Sequence, residues 1–169
     1  VLCEHHNNTL SGIDQAGANA IRVIESILPE DRRSITMVPD NLEINGLDFE
    51  RWLLKIALTL SFKSELHIGF GMTDSTPGRP SPYLLQVVFG NLPFTHKMGL
   101  YTFSYDTMEK FRAGSIAFMP IHKEGRIGGF WYHIRGLDFF LSLYPGYYLP
   151  RLGELGIGAN EKVPAYIVN

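Results

Sequence analysis

The residues best suited to chemistry stand at the start of the chain, where Cys3, His5, His6, Asn7 and Asn8 fall within "VLCEHHNNTLSGID". Cys3 and His6 have C-x-x-H spacing, which lets a thiolate and an imidazole reach one zinc ion from a single tight turn. Such a pair is half of a four-ligand site, and the chain has only 1 cysteine, so the remaining ligands would have to come from elsewhere. The same residues also read as an unspecialised start to a helix, because Asn7, Asn8 and Ser11 are capping and turn-forming types.

The other histidines, His67, His96, His122 and His133, show no spacing typical of a metal-binding helix. His122 and His133 flank the turn "KEG" and are expected to face each other across a hairpin, more as solvated pH-sensitive groups than as catalytic ones. "GRIGG" lacks the strand-loop-helix setting and the Gly-Lys-Ser/Thr ending of a phosphate loop. Gly128 and Gly129 therefore predict a β-bulge or a close backbone approach. Glu50, Arg51 and Lys55 read as the solvent strip of a helix. Arg79, Lys97, Lys110, Arg112, Lys123, Arg126 and Arg135 are interleaved with aromatics. They fit an ordinary solvated face, or a nucleic-acid-tracking patch if they gather on one side of a sheet.

Composition narrows these options. A chain of 169 residues suffices for one domain with a substantial core, or one domain with an appended arm. A formal charge of -2 gives no bulk attraction to nucleic acid, so any such contact must be local. The lone cysteine excludes an internal disulfide and favours a reducing compartment. The apolar stretches around 52–60 and 137–143 are too short to span a bilayer, and the polar N-terminus has no signal-peptide pattern. The expectation is a cytoplasmic protein that does not enter the membrane.

The elements that must position these residues follow from periodicity. Ile13, Ala16, Ala20, Ile21, Ile24, Ile27 and Leu28 predict a helix over roughly residues 11–28, capped by Ser11 with Asp14 and ended by Pro29. "ITMV" and "LEI" around Pro39-Asp40-Asn41 suggest a small hairpin within residues 34–45. Phe49, Trp52, Leu53, Ile56, Ala57 and Leu60, with Leu54 and Leu58 widening the stripe, predict a central helix over 48–60. "GMTDSTPGRPSPY" must be a loop. "YLLQVVFG", "MGLYTFSY" and "GSIAFMPIHKEGRIGGFWYHIRGLDFFLSLY" read as a meander of four or five strands turning at "KEG" and "RGLD". No element is assigned from Tyr147 onward. The fold class is α+β: two helices packed on a mainly antiparallel sheet of about four to six strands.

Ahead of its helix, "VLCEHHNNTLSGID" resembles the last third of an HNH endonuclease motif, in which a strand runs into a C-x-x-C or C-x-x-H pair, then His or Asn, then a helix. The resemblance covers about the first 15 residues. It implies a ββα-metal element in which Cys3 and His6 are half of a structural zinc site. Asn7 then takes the catalytic position of the motif's last residue and ligates a catalytic divalent metal such as magnesium. His5 and Asn8 receive no role. The metal would neutralise charge on a scissile phosphate while an upstream histidine activates water. The first strand, the other zinc pair and that histidine would all lie before Val1, so this stretch alone should lack nuclease activity. On this reading residues 1–30 are a remnant of the HNH-like element (strand end, turn, helix), and 31–169 form an α+β domain without an assigned role. "ERWLLK" is similar to a segment downstream of the HNH-like element in bacterial proteins, with no chemistry attached. Nucleic acid is the implied partner, and protein partners stay open. The alternative is a noncatalytic binding or regulatory domain with an aromatic-rich sheet.

Overall fold

The computed structural model describes residues 4–27, 43–64, 68, 79–95, 98–102, 116–123, 126–135, 137–143 and 165–166, and the side chains of 4–7, 27, 61, 63–64, 123 and 165–166 are not among the described ones. The hairpin expected within 34–45 and most of the loop after residue 70 lie outside these residues.

Helix α1 spans Glu4–Ile27, starting seven residues earlier than the Ser11 cap predicts. Ser11 is inside the helix, where its hydroxyl donates back to the Asn8 carbonyl at 2.7 Å. This is the usual alternative to capping for a serine within a helix. Leu10, Ile13, Ala20, Val23 and Ile24 form the buried stripe. Helix α2 spans Gly46–Ser64. Asn45 starts it, accepting from the Asp48 amide at 3.2 Å and donating to the Asp48 carboxylate at 2.8 Å. This reciprocal cap satisfies one of the first-turn donors. The predicted face is the buried one: Phe49, Leu53, Leu54, Ala57 and Leu58 are all in the core. The two helices approach closely, because a Cβ on Gly17 would collide with the Trp52 ring.

A third helix, α3, covers Pro82–Val88 where a strand was expected. The Ser81 hydroxyl accepts from the Leu84 amide at 3.3 Å and Pro82 occupies the first turn, where its missing N–H and fixed φ suit a helix. Leu84, Val87 and Val88 then share a buried face. The expectation of two helices is corrected to three among the described residues.

The strands are β1 (Gly99–Thr102), β2 (Ile116–Lys123), β3 (Arg126–Ile134), β4 (Leu137–Ser142) and the two-residue β5 (Ala165–Tyr166). They form one antiparallel sheet of order β2-β3-β4-β1-β5, and a lone parallel bridge joins Ile68 to Ile127. The architecture is α+β with a mainly antiparallel sheet, as the residue pattern predicts. Strands β2 to β4 are a meander, β2 pairing with β3 from Lys123↔Arg126 and β3 with β4 from Ile134↔Leu137. By contrast β1, although it precedes β2, pairs with β4 on the other side of the sheet. The core lies between sheet and helices: the Phe49 and Phe139 rings meet edge-on at 5.4 Å, and the Tyr132 hydroxyl donates to the Leu53 carbonyl at 2.8 Å. Burial pushes the Tyr132 phenol pKa up, so it stays a donor.

Gly128 and Gly129 fulfil both readings made of them. Ile121 pairs with Gly129 and His122 with Ile127, so Gly128 is the extra residue of a bulge. A Cβ on Gly129 would collide with the Phe140 ring and the Leu141 carbonyl.

Candidate functional site

The helix geometry carries His5, His6 and Asn7 into the first two turns of α1, rather than leaving His6 and Asn7 ahead of it. Cys3 and the side chains of His6 and Asn7 lie outside the described residues. Among the described residues no group of three or more His, Cys, Asp or Glu could hold a metal ion.

The polar pair assembled by the fold is His133 with Asp138. The two-residue β3–β4 turn sets Ile134 opposite Leu137 and, one rung on, His133 opposite Asp138. Alternation along a strand then points both side chains to one face. The His133 Nδ1 and Asp138 Oδ1 atoms are 3.0 Å apart, and the residues are only 3% and 1% exposed. Where the carboxyl is ionised it only accepts, and the imidazole then donates through Nδ1. The face involved is the one opposite α2, since Tyr132 and Ile134 point to the helices. Beside the pair lies Trp131, its ring 6.0 Å from that of His133. Its buried indole N–H has no hydrogen-bond partner among the described residues.

A carboxylate that orients an imidazole is two-thirds of a nucleophile-activating triad. Ser142 is a buried hydroxyl of the same face, but it pairs with Gly129, four rungs along the ladder. Four residues of strand place it about 13 Å from Asp138, far beyond hydrogen-bond reach. The pair is a buried side-chain contact between β3 and β4. Its signal was partly present in the sequence: "RGLD" marks the reversal, and with Ile134 opposite Leu137 the next rung pairs His133 with Asp138. The expected partnership of His133 with His122 is incorrect, because the ladder sets His133 against Ala117 and exposed His122 against Ile127. His67 and His96 lie outside the described residues.

A second group missed by the residue pattern is Glu50. Instead of forming a solvent strip, Glu50, Arg51 and Lys55 tie elements together. Lys55 donates to both carboxylate oxygens of Asp14 on α1, at 2.7 and 2.6 Å. Arg51 holds Asp48 at 3.2 Å and lies against Gly90, just beyond α3. Glu50 Oε2 accepts from the Leu100 amide of β1 at 2.7 Å. Burial raises its carboxyl pKa from 4.5 to about 7, against the smaller opposing effects of that amide and of Arg51. A carboxyl poised near neutrality is common in functional sites.

Of the seven basic residues interleaved with aromatics, the described side chains are those of Arg79, Arg126 and Arg135. Arg126 and Arg135 stand at opposite ends of β3, and Arg135 binds Glu25 of α1 at 2.6 Å. Lys97, Lys110 and Arg112 lie outside the described residues.

The exposed apolar surface is more distinctive. Strand β2 ends the sheet order, and its Ile116 and Phe118 are 58% and 46% exposed. Both point to the helix side: Phe118 pairs with Tyr132 and Ile116 with Ile134. They lie at a rim that the described helices do not cover. No described helix is long and apolar enough to cross a membrane. No family model, curated protein or solved structure matches this chain.

Proposed function

We propose that the chain is a noncatalytic α+β binding domain whose contact element is β2, and that its partner contributes an extended apolar segment added there as a further strand. The observation that carries this reading is the exposure of Ile116 and Phe118 on the terminal strand. A terminal strand offers backbone donors and acceptors to an incoming chain, and alternate side chains supply specificity. Residues 116–121 carry no charge, so an apolar segment meets no electrostatic barrier. Pro120 and the bulge after Ile121 limit regular pairing to about residues 116–119. A cytoplasmic location belongs to the same proposal and rests on the single cysteine.

The test uses wild-type, Phe118→Lys and Leu92→Lys proteins as baits, Leu92 being an exposed residue away from β2. A partner retained by wild type and Leu92→Lys but lost by Phe118→Lys is then purified. Slowed amide exchange at 116–119 in the purified pair supports strand addition. Equal retention by all three baits, or unchanged exchange at β2, refutes it.

A second reading, that residues 1–30 carry the end of an HNH-type motif, is favoured by the position of α1 directly after Cys3. This supplies the helix that the motif requires, although here the helix takes in His6 and Asn7. In that reading Cys3 and His6 hold structural zinc, Asn7 holds a catalytic divalent metal such as magnesium, and the partner is nucleic acid. Stoichiometric zinc that is lost in Cys3→Ser supports it, and zinc-free wild-type protein counts against it.

A further inference from the structure

The open side of β2 is defined by its proline. Pro120 stands opposite Phe130 in the β2–β3 ladder, and a proline has no N–H to give a neighbouring strand, so its nitrogen faces the unpaired side of this terminal strand. Backbone groups alternate in direction along an antiparallel strand. Ile116 and Phe118 therefore also turn their N–H and C=O outward, while Ala117 and Met119 bond inward to His133 and Trp131 of β3. The far side of β3 agrees. The Gly128 carbonyl accepts from the Leu143 amide at 2.9 Å, which from there onward directs the even-numbered residues of β3 toward β4 and the odd-numbered ones toward β2.

This open stretch is complementary to itself. When two copies pair antiparallel about a two-fold axis at Ala117, Ile116 of each lies opposite Phe118 of the other, and both residues present the outward groups that such a pair exchanges. Ala117 meets Ala117 of the other copy on the axis, where a small side chain suits the closer spacing of a pair without hydrogen bonds. The exposed side chains of Ile116 and Phe118 then cover one another on the helix side of the joined sheet. An axis at Phe118 is poorer, because it sets the Ile116 carbonyl against the proline nitrogen, which has no hydrogen to donate. Residues 116–121 carry no charge, so the pairing of 116–118 brings no like charges together, and no charged side chain guards this stretch against pairing.

We infer that the extended apolar segment received by β2 is the β2 strand of a second copy of this chain, an inference that rests on the binding role proposed above for this strand. One register sets large side chains opposite large and small opposite small, and the same register uses every outward group of Ile116 and Phe118. The contact joins two five-stranded sheets edge to edge and consumes the same edge in both copies, so association through it stops at the dimer. Three paired residues per copy fall well short of the about 1,000 Å² of a lasting interface. The dimer is accordingly a transient one in exchange with the monomer.

Sedimentation of the wild-type chain from about 10 μM to about 1 mM, the range suited to so small a contact, should show a monomer–dimer equilibrium. Leu92→Lys should share it, and Phe118→Lys should weaken association at least about tenfold. Register is read by oxidative cross-linking in a Cys3→Ser background, in which an introduced cysteine is the only one. Ala117→Cys should couple readily, because Cα atoms about 4.5 Å apart on the axis are within disulfide range. Met119→Cys, whose two copies stand roughly 13 Å apart along the strands, should not. A wild-type chain that stays monomeric throughout the range, a dimer that Phe118→Lys leaves intact, or equal cross-linking at 117 and 119 would overturn the inference. Its failure is distinct from that of the binding role: a monomeric wild type whose 116–119 amides exchange more slowly with a different protein bound loses the second copy and keeps the strand-binding domain.

Discussion

The His133–Asp138 pair has its main consequence at the scale of single residues. Both groups are sealed from solvent, so removing one takes from the other a contact made in a buried setting. Breaking a buried pair of this kind typically costs about 3–5 kcal/mol, whereas replacing both members with apolar groups of similar size is often neutral or stabilising. Asp138→Ala should therefore lower unfolding stability by several kcal/mol in urea titrations. His133→Phe combined with Asp138→Leu should recover most of that loss. Full additivity of the two single losses would show that the pair does not act as a unit. No comparable argument can be made for Cys3, His6 and Asn7, whose chemistry depends on side-chain directions that residue spacing alone does not determine.

The legibility of each element depended on how local its cause is. Helix α2 was readable because its apolar positions repeat with helical period and Asn45 and Asp48 mark its start. The strands β2 to β4 were readable because tight turns separate short runs of β-prone residues. Helix α3 was misread as a strand: its run of Leu and Val is apolar at nearly every position, so periodicity carries little information. The deciding signals were the Ser81 cap and Pro82 at the first turn. The pairing of β1 with β4 and the close approach of α1 to α2 are long-range properties with no local marker. That approach yields a prediction. Because a Cβ on Gly17 would collide with the Trp52 ring, Gly17→Ala should destabilise the domain despite alanine's better helix propensity. The expected loss is about 1–3 kcal/mol from overpacking, against a propensity gain of about 1 kcal/mol. Gly12, with nothing near its would-be Cβ, is the control: Gly12→Ala should be neutral or stabilising in the same thermal melts.

At the scale of the whole molecule, the raised Glu50 carboxyl makes stability depend on pH in the opposite sense to that of ordinary paired carboxylates. The folded state holds the Glu50 proton up to a pH of about 7, while the unfolded chain releases it near 4.5. Between these values the folded state binds more protons, so this group's contribution to stability falls as pH rises. Its full favourable effect is present below about pH 4.5 and is lost by about pH 7. The shift corresponds to roughly 3 kcal/mol by the usual conversion, reduced to about 2 kcal/mol for a half-buried group partly screened by water. Glu50→Gln keeps an acceptor for the Leu100 amide and removes the titration. Comparing urea unfolding of the two proteins at pH 5 and pH 8 isolates the contribution, since every other titrating group is shared. The variant should gain about 2 kcal/mol relative to wild type on going from pH 5 to pH 8. A difference that does not change with pH would mean that the Glu50 carboxyl titrates alike in the folded and unfolded chains, and the burial of its charge would then have no energetic consequence.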